Sequence, residues 1–458
     1  MVKFFNLIKS IVLGTTVRKK IVKYYFAIIL FGAFFFLLPF ATKDNQSLTF
    51  LEAFFTSATA FTDNGLNSIN HVEKLSGFGQ FLNLFLIEIG GLGIMAIKVF
   101  IFMFIGKKLN VSDRLLIFTE HSQEHLGGMV KLIKTAISFF VIFQIILTIL
   151  FTIHFIIYYD YSSSQSLWQG LYYAISCSNS AGYSLYSNSY ENFSGDYLFQ
   201  TYTIIGLFIG GIGFPIINES VIYFKRKLNN ERHHFSFFYK LTMSSYFVIT
   251  FIALIIFSIT ERNTILADGL NIDSAFKIVF QVTSLRSAGC LTIPMDEISN
   301  AGHLLGAILM FIGVNPASTG GGIRTTTIAI IVLYMFSSIG HSKVTPELFN
   351  RRIGMRTVQR ALTVFAFAFF IVLITLISIL AESDNFNFFD ALIESVSAFG
   401  TIGLSKGITA DLSVFNQILL IIGTIIGRIG ILGTLLMFTS KQFSSELIKF
   451  PEEDITIG

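Results

Sequence analysis

The sequence predicts an all-α integral membrane protein: four pseudo-repeated span–pore helix–span units around a central pore. Three observations carry this. Of 458 residues, 53% are hydrophobic and only 13% charged, against about 25% charged in ordinary soluble domains. A series of apolar segments is long enough to cross a bilayer. Between them, a short apolar stretch ending in a glycine-containing loop recurs four times.

A spanning helix needs about 20 apolar residues. Segments 21–41, 80–105, 131–158, 197–224, 239–260, 302–338, 357–381 and 413–438 meet this in turn. The sixth is too long for one straight span, and the helix-breaking run GVNPASTGGGIRTTT (313–327) interrupts it. Within each pair lies a shorter stretch, at 51–61, 168–178, 274–284 and 389–399. About 11 residues cannot span, so each reads as a re-entrant half-helix. The units are bounded at 21–106, 130–226, 238–338 and 357–440. A cytoplasmic segment 1–20, expected as a short interfacial helix rather than a removable signal peptide, precedes them, and a cytoplasmic tail 441–458 follows.

Orientation follows from the basic residues. They cluster at Arg18, Lys19, Lys20 and Lys23, near Lys107 and Arg114, at 225–232, and at Arg351, Arg352 and Arg356. Loops bearing the short stretches carry acids instead, such as Asp160, Glu191 and Glu382. Both termini are therefore expected in the cytoplasm and the short stretches outside.

Overlaying the short stretches aligns Gly65, Gly182, Gly289 and Gly403, spaced 117, 107 and 114 residues apart. Six residues before each stands a hydroxyl: Thr59, Ser176, Thr283 and Ser397. Irregular backbone at membrane depth is tolerated where it lines a water-filled path. Four such loops would place rings of backbone carbonyls on one axis, able to replace the hydration shell of a monovalent cation. Glycine permits the dihedrals that turn a carbonyl inward. The negative C-terminal ends of the half-helices would favour a cation there.

The run Ala317, Ser318, Thr319, Gly320, Gly321 and Gly322 reads as a flexible gate beneath that path. Arg428 falls in the middle of the last span, where an unpaired charge costs about 2.5 kcal/mol or more. It is expected to pair with gate-loop carbonyls, or alternatively with Glu88; Lys98 and Arg324 are ambiguous in the same way. A net charge of +4 gives no reason to expect nucleic acid. Two cysteines, Cys177 and Cys290, make neither a disulfide framework nor a metal site. A membrane-embedded enzyme would need clustered acids or histidines at one interface, which no motif supplies. No catalytic residue and no organic cofactor is expected.

These motifs resemble the Trk/Ktr/HKT potassium transporter superfamily, most closely its bacterial KtrB branch. ESVSAFGTIGLS is similar to that family's fourth filter, and NSAGYSL and SLRSAGC to its second and third. GVNPASTGGGIRTTT is similar to its intramembrane loop. EIGGLGIM, FIGGIGFPII and IIGRIGILGTL resemble its second spans, and FPEEDITIG its C-terminus. The resemblance implies a filter at Thr62, Asp63, Asn64 and Gly65; Asn179, Ser180, Ala181 and Gly182; Ser287, Ala288 and Gly289; and Gly400, Thr401, Ile402 and Gly403. Glycine in the first loop goes, in that family, with potassium rather than sodium. Asp63, Ser178 and Cys290 depart from the pattern, where apolar residues, in the latter two phenylalanine, are usual.

What the resemblance implies is potassium translocation across a bacterial plasma membrane, as the pore subunit of a Ktr-like uptake system. A sodium-selective or weakly selective relative is the alternative. It also implies a homodimer embedded in membrane lipid. Its partner would be a cytosolic, nucleotide-binding regulatory subunit of the KtrA kind, docked on the basic loops and the C-terminus.

Overall fold

A computed structural model describes residues 17–43, 46–93, 129–267, 269–339, 345–383 and 386–438. The expected interfacial helix before residue 17, the loop carrying Lys98, and the C-terminal tail lie outside the described residues. Apart from an antiparallel hairpin pairing Glu347–Leu348 with Arg351–Arg352 and an isolated antiparallel bridge between Thr42 and Leu75, the described secondary structure is helical.

One unit occurs four times. Its leading helices are Val17–Phe36, Met129–Tyr159, Phe237–Thr260 and Met355–Glu382. The latter three each contain an apolar stretch long enough to span. Their outward faces are bare hydrocarbon: Phe247, Phe251, Ile255 and Ile259 on the third are all exposed. Such a surface suits lipid, since large apolar patches are rare on soluble proteins.

Short helices follow: Phe50–Phe61, Ser163–Ser178, Ile272–Leu285 and Phe388–Gly400. Local chemistry starts them. Thr49 and Glu52 form a reciprocal capping box, Glu52 accepting from the Thr49 amide at 2.7 Å. Ser162 caps the second helix through the Gln165 amide. Such caps satisfy amides that have no partner within the helix.

The trailing helices run Gly77–Leu92, Tyr197–Ile212, Asn300–Ile312 and Val414–Ile429, each begun by a capping residue: Ser76, Asp196, Ser299 and Ser413. Glutamates at the ends of two leading helices pin these starts. Glu261 accepts from the Ser299 amide (3.1 Å) and hydroxyl (2.7 Å). Glu382 does the same for Ser413.

The break expected in the third unit's second span has counterparts in the other units. All four trailing helices stop at a glycine with positive φ: Gly93 (83°), Gly213 (96°), Gly313 (69°) and Gly430 (88°). In the second unit the chain turns by 100° there and continues as Phe214–Leu228, so 197–224 is not one straight span. In the third, helix resumes only at Thr325. In the fourth it resumes at once as Ile431–Phe438. Proline at 215 and 316, which cannot donate to a helical ladder, reinforces two of the breaks.

Candidate functional site: four glycine loops and the segment beneath them

The four loops close into a ring. Gly65, Gly182, Gly289 and Gly403 have φ of 79°, 69°, 62° and 89°, a region that side chains other than glycine's enter at a cost. A Cβ on Gly65 would stand 2.4 Å from the Ala181 carbonyl oxygen; on Gly182, 1.8 Å from that of Ala288; on Gly289, 2.6 Å from that of Ile402; on Gly403, 2.0 Å from that of Asn64. Each glycine thus meets the residue before the next unit's glycine, and the fourth unit returns to the first. Asp63, Ser180 and Thr401, two residues earlier in their loops, also adopt left-handed backbone (φ 51°, 57° and 50°).

On one side the ring opens to a cavity of about 560 Å³ lined by all four glycines together with Asn67, Tyr183 and Ser405. On the other lies a cavity of about 220 Å³ lined by the four helix breaks: Gly93, Phe214, Pro316 and Gly430, with Arg324 and Arg428.

Segment 313–324 lies between the ring and the second cavity. Thr319 donates to the Ser180 hydroxyl at 3.0 Å, and Ser287 donates to the same oxygen at 2.6 Å. A Cβ on Gly321 would lie 2.8 Å from the Gly400 carbonyl oxygen, so this backbone abuts the fourth loop as well. Sequence reasoning missed how the segment is held. Its amides and carbonyls pair with the break of the second unit: Asn315 donates to Gly211 and through its side chain to Ile212, Thr319 to Gly210, and Phe214 donates to Ala317. Arg324 clasps the segment internally, donating to the Asn315 carbonyl, the Ser318 hydroxyl and the Gly320 carbonyl.

Arg428 lines the cavity below the ring, but its expected partners are corrected. It donates to the Asp63 carboxylate at 2.6 Å and to the Gly90 carbonyl, not to gate-loop carbonyls and not to Glu88. Glu88 instead accepts from Asn179 and Gln144, both at 2.8 Å. One helical turn before Arg428, Thr424 accepts from Asn64 at 2.7 Å. The last trailing helix therefore grips two consecutive residues of the first loop. Asp63 looked like a departure; it is the counter-charge that a buried arginine requires.

Two further differences are local. Thr283 donates to its own helix at Val279 and is only partly buried, whereas the adjacent Ser284 is buried and donates to the Cys290 carbonyl at 2.6 Å. That matches Ser176 donating to the Tyr183 carbonyl at 2.7 Å. The third unit is thus one residue tighter between hydroxyl and glycine. Sequence reasoning also passed over Arg286. It is 1% exposed, sits 4.3 Å above the Tyr246 ring and donates to the carbonyls of Tyr246 (3.2 Å) and Gly313 (3.4 Å). Aligning RSAG with TDNG and NSAG was the available signal. Ser178, where bulk was expected, accepts from Gln144 at 3.0 Å, and Cys290 is buried against aromatic rings.

A family model, TrkH, described as cation transport protein, matches residues 20–448. The chain belongs to this TrkH cation transport protein family. Among the relatives it resembles, Ktr system potassium uptake protein D of Bacillus subtilis is 31% identical over 458 residues, covering 100% of this chain and 99% of the relative. Ktr system potassium uptake protein B of the same organism is 30% identical, with 95% of each chain covered. Potassium/sodium uptake protein NtpJ of Enterococcus hirae is 31% identical, again over 95% of each. The crystal structure of the potassium transporter TrkH from Vibrio parahaemolyticus superposes with a TM-score of 0.73 at 17% identity, covering 93% of this chain and 86% of that one. The TrkH fold is thus that of the four-unit helical architecture described above. This TrkH-family chain is a membrane protein of cation transport.

Proposed function

We propose that the ring at Gly65, Gly182, Gly289 and Gly403 is the selectivity filter of a potassium pathway, with 317–322 as its gate. The observation that carries this is the cyclic approach of each glycine to the next unit's carbonyl. Four loops from four units, packed this way, bring main-chain carbonyls around a common axis, and such oxygens replace the water shell of a monovalent cation. The short helices end at the loops, so their negative dipole ends add to the attraction. Dehydration would be compensated by fixed dipoles, without a ring of side-chain carboxylates. Asp63 is neutralised by Arg428, so it supports the backbone rather than coordinating the ion.

Segment 317–322 would close the path by lying across the cytoplasmic end of the filter. Thr319, held by Ser180, is its contact upward, and Arg324 its internal clasp. Opening requires those few polar contacts to exchange with water. The basic loops would face the cytoplasm, as would both termini. The Ktr names of the relatives favour a multi-component system, with this chain as the pore subunit, likewise dimeric, and a separate nucleotide-binding regulator.

Potassium uptake by a transport-deficient bacterial strain expressing the chain tests this reading. Growth at micromolar potassium, resisting millimolar sodium, is expected. The name of the Enterococcus relative supports a second reading, in which sodium shares the path. Uptake that sodium competes away in proportion to its concentration would favour that reading over the first.

A further inference from the structure

We propose that the third unit binds one anionic glycerophospholipid, its phosphate in a basic cavity at the membrane boundary and an acyl chain in an adjoining apolar groove. The groove, about 560 Å³, runs along the leading helix Phe237–Thr260 past Ser244, Val248, Ile252 and Ile256. From Leu241 to Ile256 it extends about 22 Å at 1.5 Å per residue. One leaflet is about 15 Å deep, so the groove accommodates a full acyl chain. At the end where this helix begins, a second cavity of about 480 Å³ is lined by His234, Lys240, Arg351 and Arg352.

Phe349 lines both cavities and joins them. It occupies the tip of the Glu347–Arg352 hairpin, where Phe349 and Asn350 both have positive φ (50° and 58°), the conformation of a tight two-residue turn. The hairpin therefore places Phe349 at the junction of the two cavities, with Arg351 and Arg352 lining the basic one. The acidic groups nearby are Glu347, which accepts from Arg352 at 2.7 Å, and Glu219, which accepts from Ser236. Lys240 and Arg351 are exposed and remain available for a phosphate. A headgroup without net charge would not answer these cations, and a free phosphate would leave the groove unfilled.

The other wall of the groove consists of Leu305–Ile312, before the break, and Ile328–Leu333, after it. A lipid seated there touches both helices flanking segment 313–324. This coupling rests on the gate reading above; the binding does not.

The test uses the full chain, purified in detergent, stripped of lipid and offered mixed dioleoylphosphatidylglycerol and dioleoylphosphatidylcholine micelles, with retained lipid read by native mass spectrometry. One phosphatidylglycerol per chain is expected to survive in preference to phosphatidylcholine. Lys240→Gln and Arg351→Gln should each weaken its retention about fivefold, in line with about 1 kcal/mol per surface cation. Ile252→Trp, at a lipid-facing position, should fill the groove and lower retention with the cations intact. Equal retention of both lipids would overturn the proposal. So would unchanged retention in all three variants, displacement by millimolar inorganic phosphate, or variants that alter only the monomer–dimer ratio or the capture of a regulatory protein. Loss of potassium selectivity in the wild-type chain would bear on the filter reading and leave this binding result standing.

Discussion

Arg428 of the fourth unit and Asp63 of the first form an ion pair at 2.6 Å, with the carboxylate fully buried and the guanidinium nearly so. The pair closes the ring where the first and fourth units meet. The Asn64–Thr424 hydrogen bond and the Arg428 donation to the Gly90 carbonyl join the same two units. Breaking a buried pair by removing one partner typically costs about 3–5 kcal/mol, because the other charge is left uncompensated.

Asp63→Asn and Arg428→Gln are therefore each expected to destabilise the protein by about that amount. The double variant, with no buried charge left over, should be closer to wild type than the sum of the two. Thermal unfolding in detergent, analysed as a double-mutant cycle, checks this. Strict additivity would show that the two side chains do not act together.

The contact of the proposed gate is tested at Thr319. Thr319→Val keeps the shape and removes the hydroxyl that donates to Ser180. Losing one neutral hydrogen bond is worth about 1 kcal/mol, so the closed arrangement should be weakened roughly fivefold. Potassium flux into liposomes should rise accordingly. Deleting 317–322 should raise it further, provided the protein still expresses and folds. Flux unchanged in both variants would remove the segment from the role of gate.

Arg286 makes a separate prediction. Its guanidinium joins the third loop to the carbonyl of Gly313, where segment 313–324 begins. Arg286→Lys keeps the charge but loses the planar fork and its stacking on Tyr246. The variant is expected to lose stability and to alter gating, with ion preference changed less than by a glycine substitution. Uptake at varied sodium, compared with unfolding temperature, separates these effects.

Much of this was readable in the residues, for identifiable reasons. The glycines at 65, 182, 289 and 403 stood out because a backbone demand for positive φ leaves a mark in sequence. The break at 313 was plain because many breakers coincide there. The breaks at Gly93, Gly213 and Gly430 were not, although glycines cluster there and Pro215 follows the second, because small residues within an apolar run are also common where straight membrane helices pack closely. Arg428 announced itself as a charge at membrane depth, yet its partner lies 365 positions away, a separation that only the closing of the ring brings together. Thr283 and Ser284 differ only in which face of a helix end they occupy, and one residue of tightening in the third loop decided between them.

Ion competition on single glycine variants tests most directly whether the four glycines form the proposed potassium filter. Gly182→Ser or Gly403→Ser would press a Cβ against the Ala288 or Asn64 carbonyl and move it off the axis. Potassium uptake should then become sensitive to sodium at concentrations the wild type ignores, while protein abundance in the membrane holds. Uptake with wild-type selectivity in folded Gly182→Ser and Gly403→Ser would contradict the filter and with it the function proposed for the ring.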